Sequence, residues 1–250
     1  MYSYDKNYFD IIDSEDKAYW LGFIWGDGYV INNTETSKYS LKIGLSSIDH
    51  NHLEKFKKSI KSNHDIKQYK IKTGFMKKDG NDSYESRIVI GGKDFVQNLY
   101  NNFGICPRRN DISKIIEKLP KKHYRDFIRG VVDADGGITF NKKKYKVERL
   151  EFSIALIGSD SLLDFYNEYL IENNITKTKY KRSKRHPDRD GEMKTIRITG
   201  NNIVLNILNN LYLNSNVFLD RKYEKYIETV KYMELYKQEK GGGMSGKKTK

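Results

Sequence analysis

Hydrophobic and polar residues alternate along the chain with two periods, and these predict a regular order of helices and strands. Leu41, Ile43 and Leu45 alternate with polar or small residues, which is typical of a strand with one buried face. Apolar residues three and four positions apart between 49 and 60 instead predict an amphipathic helix. The elements predicted for the first half are helices at 16–27, 49–60 and 93–103, and strands at 29–32, 38–46, 66–73 and 84–90.

The second half repeats this order of elements. Phe152, Ile154 and Leu156 alternate with more polar or smaller neighbours, as in the corresponding strand of the first half. The chain is therefore predicted to be an α+β protein with two αββαββα halves, at 1–118 and 119–240, followed by a disordered basic tail at 241–250. The predicted elements here are helices at 122–135, 160–173, 202–210 and 220–236, and strands at 138–141, 146–157, 175–182 and 193–199.

Two short stretches carry the strongest sign of duplication. WLGFIWGDG occupies 20–28 and IRGVVDADG occupies 128–136, and each is an apolar helix that ends in Asp-Gly. Their aspartates, Asp27 and Asp135, are separated by the same interval along the chain as Gly92 and Gly200, and we call this spacing the repeat interval. Either stretch alone would be typical of an ordinary core helix followed by a turn. Because other features recur with them, they indicate two copies of one α/β module.

The two stretches are built for close helix packing. Gly22 and Gly26 are four positions apart and lie on one face of a helix, and the second stretch has Gly130 and Ala134 at the equivalent places. Small residues at this spacing let two helix backbones approach closely. We therefore expect the two helices to pack together, with their terminal aspartates at the same end.

Two carboxylates at adjacent helix C-termini are electrostatically unfavourable. The helix dipole places negative potential there, and the acids repel each other. A hard divalent cation such as Mg²⁺ removes the conflict, since it favours carboxylate oxygens, waters and phosphate oxygens. Metal ions bridged by Asp27 and Asp135 could activate water and stabilise the leaving oxygen of a phosphodiester.

Composition narrows the class of partner. The 250 residues carry a formal net charge of +13, which favours a polyanion, and nucleic acid before a membrane. A single cysteine, Cys106, excludes an intramolecular disulfide and a cysteine-rich zinc site. The sequence contains no apolar run of membrane-spanning length and begins with a polar, acidic segment. We therefore expect an intracellular protein, in the cytoplasm of a bacterial or viral host or in an organelle matrix.

The paired stretches resemble the motifs of LAGLIDADG homing endonucleases in their single-chain, two-motif form. The resemblance covers roughly residues 14–236. It implies pseudo-symmetric halves whose motif helices form the central interface and whose antiparallel sheets form a saddle over DNA. It also implies a monomer that cuts both strands of double-stranded DNA across the minor groove, at a long asymmetric site, leaving 3′ overhangs.

The resemblance also implies a metal site. Asp27 and Asp135 match the last acids of the two motifs, which bind metal and are catalytic, and Gly26 and Ala134 are the adjoining metal-site positions. The expected cofactor is Mg²⁺, as two or three divalent ions. Mn²⁺ or Ca²⁺ can substitute in the site, Ca²⁺ without turnover.

Basic groups and one departure from the motif complete the expected site. Lys114 and Lys222, which are again one repeat interval apart, resemble the basic catalytic residues of the family, although either could be an ordinary surface lysine. The earlier acid of the motif is present as Asp133 but is replaced by Trp25 in the first copy. The resemblance implies structural hydrogen bonding for Asp133, and we expect Trp25 to fill space instead.

The DNA-binding surface is predicted on the strands and their loops. Two-stranded ribbons fit the major groove, where lysines meet phosphates and other side chains reach base edges. The predicted DNA-binding residues are Lys38, Ser40, Lys42, Lys67, Tyr69, Lys70, Lys72 and Arg87 in the first half, and Lys142, Lys144, Arg149, Lys177, Lys179, Lys181, Arg182, Arg185 and Arg197 in the second.

Other functions of this fold remain open from the sequence. A protein of this kind could be an RNA maturase that assists intron folding, or a DNA-binding regulator without catalysis. The presence of both Asp27 and Asp135 favours the enzyme. An endonuclease embedded in an intein is disfavoured, because the chain lacks a nucleophilic first residue and a C-terminal His-Asn.

Overall fold

The computed structural model describes residues 2–71, 84–144, 148–184 and 193–242. The first half has the predicted order αββαββα and is followed by a short helix, α4. Its elements are α1 (Glu15–Asp27), β1 (Gly28–Asn33), β2 (Lys38–Ser46), α2 (His50–Ser59), β3 (Lys67–Lys70), β4 (Tyr84–Gly91), α3 (Lys93–Phe103) and α4 (Ser113–Lys118).

The second half repeats the order and adds a long final helix. Its elements are α5 (Tyr124–Asp135), β5 (Gly136–Lys144), β6 (Glu148–Gly158), α6 (Asp160–Glu172), β7 (Arg182–Lys184), β8 (Lys194–Thr199), α7 (Asn201–Tyr212) and α8 (Asp220–Gly242). Among the described residues, each half forms one four-stranded antiparallel sheet, with strand orders β1-β2-β4-β3 and β5-β6-β8-β7. The predicted α+β fold with two αββαββα halves is therefore confirmed.

Alternation along the central strands separates a buried face from an outward face in each sheet. Leu41, Ile43 and Leu45 on β2 are buried, and the residues between them are partly exposed. On β6, Phe152, Ile154 and Leu156 are buried in the same way. Helices α2 and α3 pack on the first sheet, and α6 and α7 pack on the second. The opposite faces are therefore left available for a partner.

The core of the molecule is the contact between α1 and α5. A Cβ added at Gly22 would lie 2.1 Å from the carbonyl oxygen of Phe127, and one added at Gly130 would lie 2.1 Å from that of Tyr19. Neither position can therefore hold any other residue without moving a backbone. The predicted backbone-to-backbone packing of the two helices is confirmed.

Two predicted strands differ from the structure. Of the strand expected at 66–73, the described residues up to 71 form strand at Lys67–Lys70, and 72–73 lie outside the described residues; the strand expected at 175–182 is reduced to Arg182–Lys184. The side chain of Asn167 bonds both the backbone N–H and the carbonyl of Tyr180, at 2.8 and 3.2 Å. These bonds tie the segment to α6, so its backbone does not join the sheet. Residues 145–147 and 243–250, including most of the predicted tail, lie outside the described residues.

Candidate metal and DNA-binding site

Each of the two predicted acids is the last residue of its motif helix. Asp27 ends α1 and Asp135 ends α5, and the next residue in each case begins an edge strand. The helix ends adjoin each other, since a Cβ added at Gly26 would lie 2.3 Å from the Cβ of Ala134 and 3.1 Å from the Oδ2 oxygen of Asp135. Close packing at the small residues therefore brings Asp27 and Asp135 to one place between the halves.

Asp27 and Asp135 repel each other at the helix ends, as expected from the sequence. The pKa of Asp27 is raised to about 6, first by burial and then by the negative charge of Asp135. Lys222, Arg221 and Arg109 oppose this shift and lower the pKa. The positive groups thus compensate the two acids only in part.

Lys222 lies beside the acids but is fully engaged with backbone. Its side chain is buried, and its ammonium donates to the carbonyls of Val132, Asp133 and Gly136 at 2.6, 2.6 and 2.8 Å. These three acceptors use all three N–H donors of the ammonium. Burial is the largest cause of its pKa being lowered to about 8. Lys222 therefore holds a positive charge at the C-terminus of α5, where it offsets the helix dipole.

Arg109 has the same role at the C-terminus of α1. Its guanidinium donates to the carbonyls of Trp25, Ile24 and Gly26, the last two at 3.0 and 2.9 Å. Arg109 was not among the predicted site residues, because Lys114 is the basic residue that lies one repeat interval from Lys222. Lys114 instead donates to the carbonyl of Asn101, at the end of α3.

Arg109 has a weak signal in the sequence. It precedes Lys222 by more than the repeat interval, so a search at that interval passes over it. Arg109, and not Lys114, holds the place at the C-terminus of α1 that Lys222 holds at the C-terminus of α5. A catalytic role for Lys114 or Lys222 stays a prediction.

The oxygen atoms at the helix ends fit a hard divalent cation. Within the described ranges, no group of three or more His, Cys, Asp or Glu side chains converges on a possible metal. The candidate ligands are the carboxylates of Asp27 and Asp135, with the backbone of Gly26 and Ala134 beside them. The carbonyl of Gly26 accepts from Arg109, and a carbonyl oxygen has a second lone pair. Such an oxygen set suits Mg²⁺ or Ca²⁺, which also retain waters and bind phosphate oxygens.

Asp133 forms a buried network that joins the halves. Its carboxylate accepts from the Tyr19 hydroxyl at 2.7 Å, the Tyr212 hydroxyl at 2.6 Å and the backbone N–H of Leu219 at 2.7 Å. Tyr19 also bonds His52 at 3.0 Å, and burial lowers the pKa of this histidine to about 3, so it is neutral. The acid that the resemblance assigned to structural hydrogen bonding is therefore fully used within the protein.

Trp25 occupies the position equivalent to Asp133 in the first half. Its side chain is buried, and the guanidinium of Arg109 lies over its ring at 5.7 Å. The indole thus fills the space where the second helix has a carboxylate, as expected. It also supports the arginine that caps α1.

Most predicted DNA-binding residues of the first half share the outward face of its sheet. The register pairs Ser40, Lys42 and Lys67 with outward positions of neighbouring strands. Lys70 pairs with Tyr84 and lies on the opposite face, so it does not belong to this group. Lys72 lies outside the described residues. The predicted residues on the outward face are Lys38, Ser40, Lys42, Lys67, Tyr69 and Arg87.

The register changes the surface expected on β5. Lys142 and Lys144 pair with Leu150 and Glu148, so they do not share the outward face of Arg149 and the prediction was wrong in this respect. The predicted strand ended at 141, whereas β5 continues to Lys144, so the alternation of the strand also fixes the faces of these lysines. Lys143 is the lysine of this strand that faces outward, and it pairs with Glu151 at 3.5 Å.

The remaining predicted cations of the second half have mixed positions. Arg197 pairs with Ala155 on the outward face, as expected. Arg182 lies on the opposite face and bonds Asp160 and Asp164. Lys177, Lys179 and Lys181 are exposed but lie outside the strands, and Lys179 forms an ion pair with Glu168. Arg185 lies outside the described residues.

Comparisons with known proteins identify the fold. No family profile matches the sequence, and no curated protein is similar to it in sequence. The LAGLIDADG homing endonuclease I-SmaMI bound to cleaved DNA has a TM-score of 0.54 at 13% identity, over 94% of this chain and 93% of that one. I-LtrWI, a LAGLIDADG homing endonuclease bound to target DNA, has a TM-score of 0.54 at 10% identity, over 91% of each chain.

A further structure of I-SmaMI is relevant to the metal. It is bound to an uncleaved DNA target in the presence of calcium ions, and it matches with a TM-score of 0.52 at 14% identity, over 90% of this chain and 92% of that one. At identities this low, the structural similarity establishes a shared fold. Across the described residues, none of the helices is both long enough and apolar enough to span a membrane.

Proposed function

We propose that this chain, whose fold is that of the LAGLIDADG homing endonucleases, is a site-specific endonuclease that cuts both strands of DNA with divalent metal ions. The observation that carries the proposal is the meeting of two carboxylates at abutting helix C-termini. There, burial and the charge of Asp135 raise the pKa of Asp27 to about 6. A purely structural pair of acids would gain nothing from this position.

We assign metal binding to Asp27 and Asp135, with the backbone of Gly26 and Ala134 completing the site. Bound Mg²⁺ would supply an activated water and stabilise the developing charge on the leaving oxygen. The protein's own cations prepare the acids for this task. Lys222 and Arg109 lower the pKa of Asp27, so they favour the ionised carboxylate that a metal requires.

DNA binding is assigned to the outward faces of the two sheets. Each edge strand next to the interface begins directly after a metal-site acid, so DNA lying on the sheets would bring its phosphates to the acids. Both acids belong to one chain, so a monomer suffices. We place the boundary between the halves at the end of α4, near residue 118. Cleavage across the minor groove with 3′ overhangs, and a role in intron homing, are part of the proposal.

The test separates cutting from binding. Duplexes cleaved in the presence of Mg²⁺ are selected from a random library, and the recovered target is assayed with Asp27→Asn and Asp135→Asn. Each variant should lose double-strand cleavage by at least about 100-fold, because removing a ligand charge disables the metal site. Affinity for the target in Ca²⁺ should stay within about threefold. Asp94→Asn, at an exposed acid on α3, is the matched control and should cut normally.

Two outcomes would reject the proposal. Full cleavage by Asp27→Asn would show that the acids do not hold a shared metal. Tight binding of a structured intron RNA without metal-dependent cutting of any duplex would instead favour the maturase.

A further inference from the structure

We propose that the two halves read DNA by different chemistry, and that the first sheet recognises thymine methyl groups in its half of the target. This inference rests on the proposed function and specifies which bases that function selects. It comes from an apolar cluster on the outward face of the first sheet, formed by Tyr29, Ile31 and Val89.

The cluster is unusually exposed for its residue types. Tyr29, Ile31 and Val89 are 48%, 38% and 44% exposed, and Tyr69 on the same face is 41% exposed. In the described part of the second sheet, from β5 to β8, no large apolar side chain reaches comparable exposure. Scattered exposed apolar residues need no explanation, but a group on one functional face does.

Strand register makes the cluster continuous. Tyr29, Lys42 and Val89 form one row across β1, β2 and β4, and Ile31 lies in the adjacent row with Ser40. Side chains two positions apart on a strand share a face and lie next to each other. Ile31 therefore lies next to Tyr29, and the two rows together form one patch.

The same two rows carry no large apolar side chain in the second half. The row equivalent to Tyr29, Lys42 and Val89 consists of Gly137, Ala155 and Arg197. The row equivalent to Ile31 and Ser40 begins with Thr139 and Ser153, whose hydroxyl oxygens are 2.6 Å apart. At the positions of Tyr29, Ile31 and Val89, the second half thus has Gly137, Thr139 and Arg197, which are small or hydrogen-bonding residues.

The charge around the cluster selects nucleic acid as its partner. Lys42 extends its ammonium to 5.5 Å from the Tyr29 ring, and the guanidinium of Arg87 lies 4.3 Å from the Tyr69 ring. Glu85, the acid on the described part of this face, is neutralised by Arg87 at 2.8 Å. An apolar patch framed by cations, on a strand that begins beside Asp27, fits the floor of a DNA groove better than a neutral protein surface.

The identity of the bases follows from groove chemistry. The C5-methyl of thymine is the apolar group that base pairs present in the major groove, and the other edges present donors and acceptors. Side chains without polar atoms, such as Ile31 and Val89, can favour a base only through that methyl. The first half-site should therefore place thymines opposite this cluster.

The experiment removes the methyl groups and nothing else. Thymines of the selected target are replaced by deoxyuridine in one half-site at a time, and dissociation constants are measured in Ca²⁺. Each methyl that contacts the cluster should contribute about a fourfold change in affinity. Replacement in the other half-site should change affinity by less than twofold.

Variants that lack the apolar groups identify the half that carries the effect. Val89→Ser and Ile31→Ser remove the methyl groups that would contact thymine, and these exposed positions should fold normally. In each variant, the loss of affinity on deoxyuridine replacement should be smaller than in the wild type, and in one half-site only. Equal losses for wild type and both variants, with the target still cut, would overturn the inference and leave the proposed function standing. If no duplex is cut or bound, both fail.

Discussion

Arg109 and Lys222 hold equivalent places at the C-termini of the two central helices, each donating to three carbonyls of the last turn or just beyond it. Both lower the pKa of Asp27. The pair balances charge that would otherwise accumulate where two helix dipoles and two carboxylates meet. The cations differ in kind, because the guanidinium stays charged at any ordinary pH whereas burial lowers the pKa of Lys222 to about 8.

Replacing Arg109 should impair cleavage much more than replacing Lys114. Arg109→Met removes a charge that lowers the pKa of Asp27, so metal binding should require a higher pH. We expect cleavage to fall about 10- to 100-fold at pH 7, the usual cost of losing a partner behind a metal ligand. The acid limb of the pH–rate profile should move to higher pH.

Lys114→Met is the matched control for Arg109→Met, since Lys114 bonds a carbonyl of α3. It should cut DNA at nearly the wild-type rate with an unchanged pH profile. Circular dichroism and melting curves establish that both variants fold. A larger defect in Lys114→Met than in Arg109→Met would contradict the assignment of Arg109.

Asp27→Asn should stabilise the metal-free protein in a pH-dependent way. The pKa of Asp27 is about 6 in the folded protein against an ordinary value of 3.8, so the folded state binds this proton more tightly than the unfolded chain. Wild-type stability therefore decreases, relative to the variant, as pH rises from about 4 to 6. The difference should reach up to about 3 kcal/mol above pH 6.

Thermal melts in a chelator between pH 4 and 8 measure this effect, with Asp94→Asn as the surface control. Added Ca²⁺ should raise the melting temperature of the wild type but not that of Asp27→Asn. A constant difference between the two proteins across the pH range would show that Asp27 is not under electrostatic stress.

Gly22→Ala should destabilise the protein although alanine favours helices. The added methyl would lie 2.1 Å from the carbonyl oxygen of Phe127, so α1 and α5 must separate. Helix propensity contributes about 1 kcal/mol in favour of alanine. Overpacking usually costs about 1–3 kcal/mol, and a methyl 2.1 Å from a backbone oxygen lies at the upper end of that range, so the net loss in unfolding free energy should be about 2 kcal/mol. Cleavage should also fall, because the acids move apart.

Gly137→Ala is the control for this substitution, since nothing lies within 4 Å of an added Cβ there. Urea unfolding of both variants gives the comparison. Equal stability of Gly22→Ala and wild type would mean that the helices tolerate a wider spacing and that the glycine is dispensable.

Salt should weaken DNA binding steeply, and Lys38 should contribute to that dependence. Lys38 is exposed on the outward face of the first sheet. If it contacts a phosphate, Lys38→Gln should reduce the slope of log Kd against log salt by about 0.9. Lys58→Gln, an exposed lysine on α2 and away from this face, should leave the slope unchanged. Identical slopes for the two variants would place the DNA elsewhere.

The sequence was most informative where local pattern and tertiary contact coincide. The repeat interval identified Asp27, Asp135 and the small residues between the helices, because close backbone packing leaves no alternative to glycine at Gly22 and Gly130. The order of helices and strands followed from periodicity for the same reason. Each strand buries one face against helices, so its pattern is strict.

The predictions failed where the two copies differ in length, or where contacts between distant parts of the chain determine the local structure. Arg109 and Lys222 are equivalent in space but are further apart in sequence than the repeat interval, which selected Lys114 instead. The strand expected before Arg182 was lost to two hydrogen bonds from Asn167, which no local pattern indicates. The positions of Lys142 and Lys144 were predicted wrongly because β5 was expected to end at 141, and the lysine-rich segment that extends it carries no hydrophobic signal.

The bond from the Tyr19 hydroxyl to Asp133 makes the two lobes complementary and no longer interchangeable. Tyr19 on α1 supplies the donor and α5 supplies the acceptor, while α1 has Trp25 where the acceptor would be. In a symmetric dimer of two first lobes, the Tyr19 hydroxyl would keep its bond to His52 but lose its carboxylate acceptor. The bond across the centre of the molecule therefore requires one lobe of each kind.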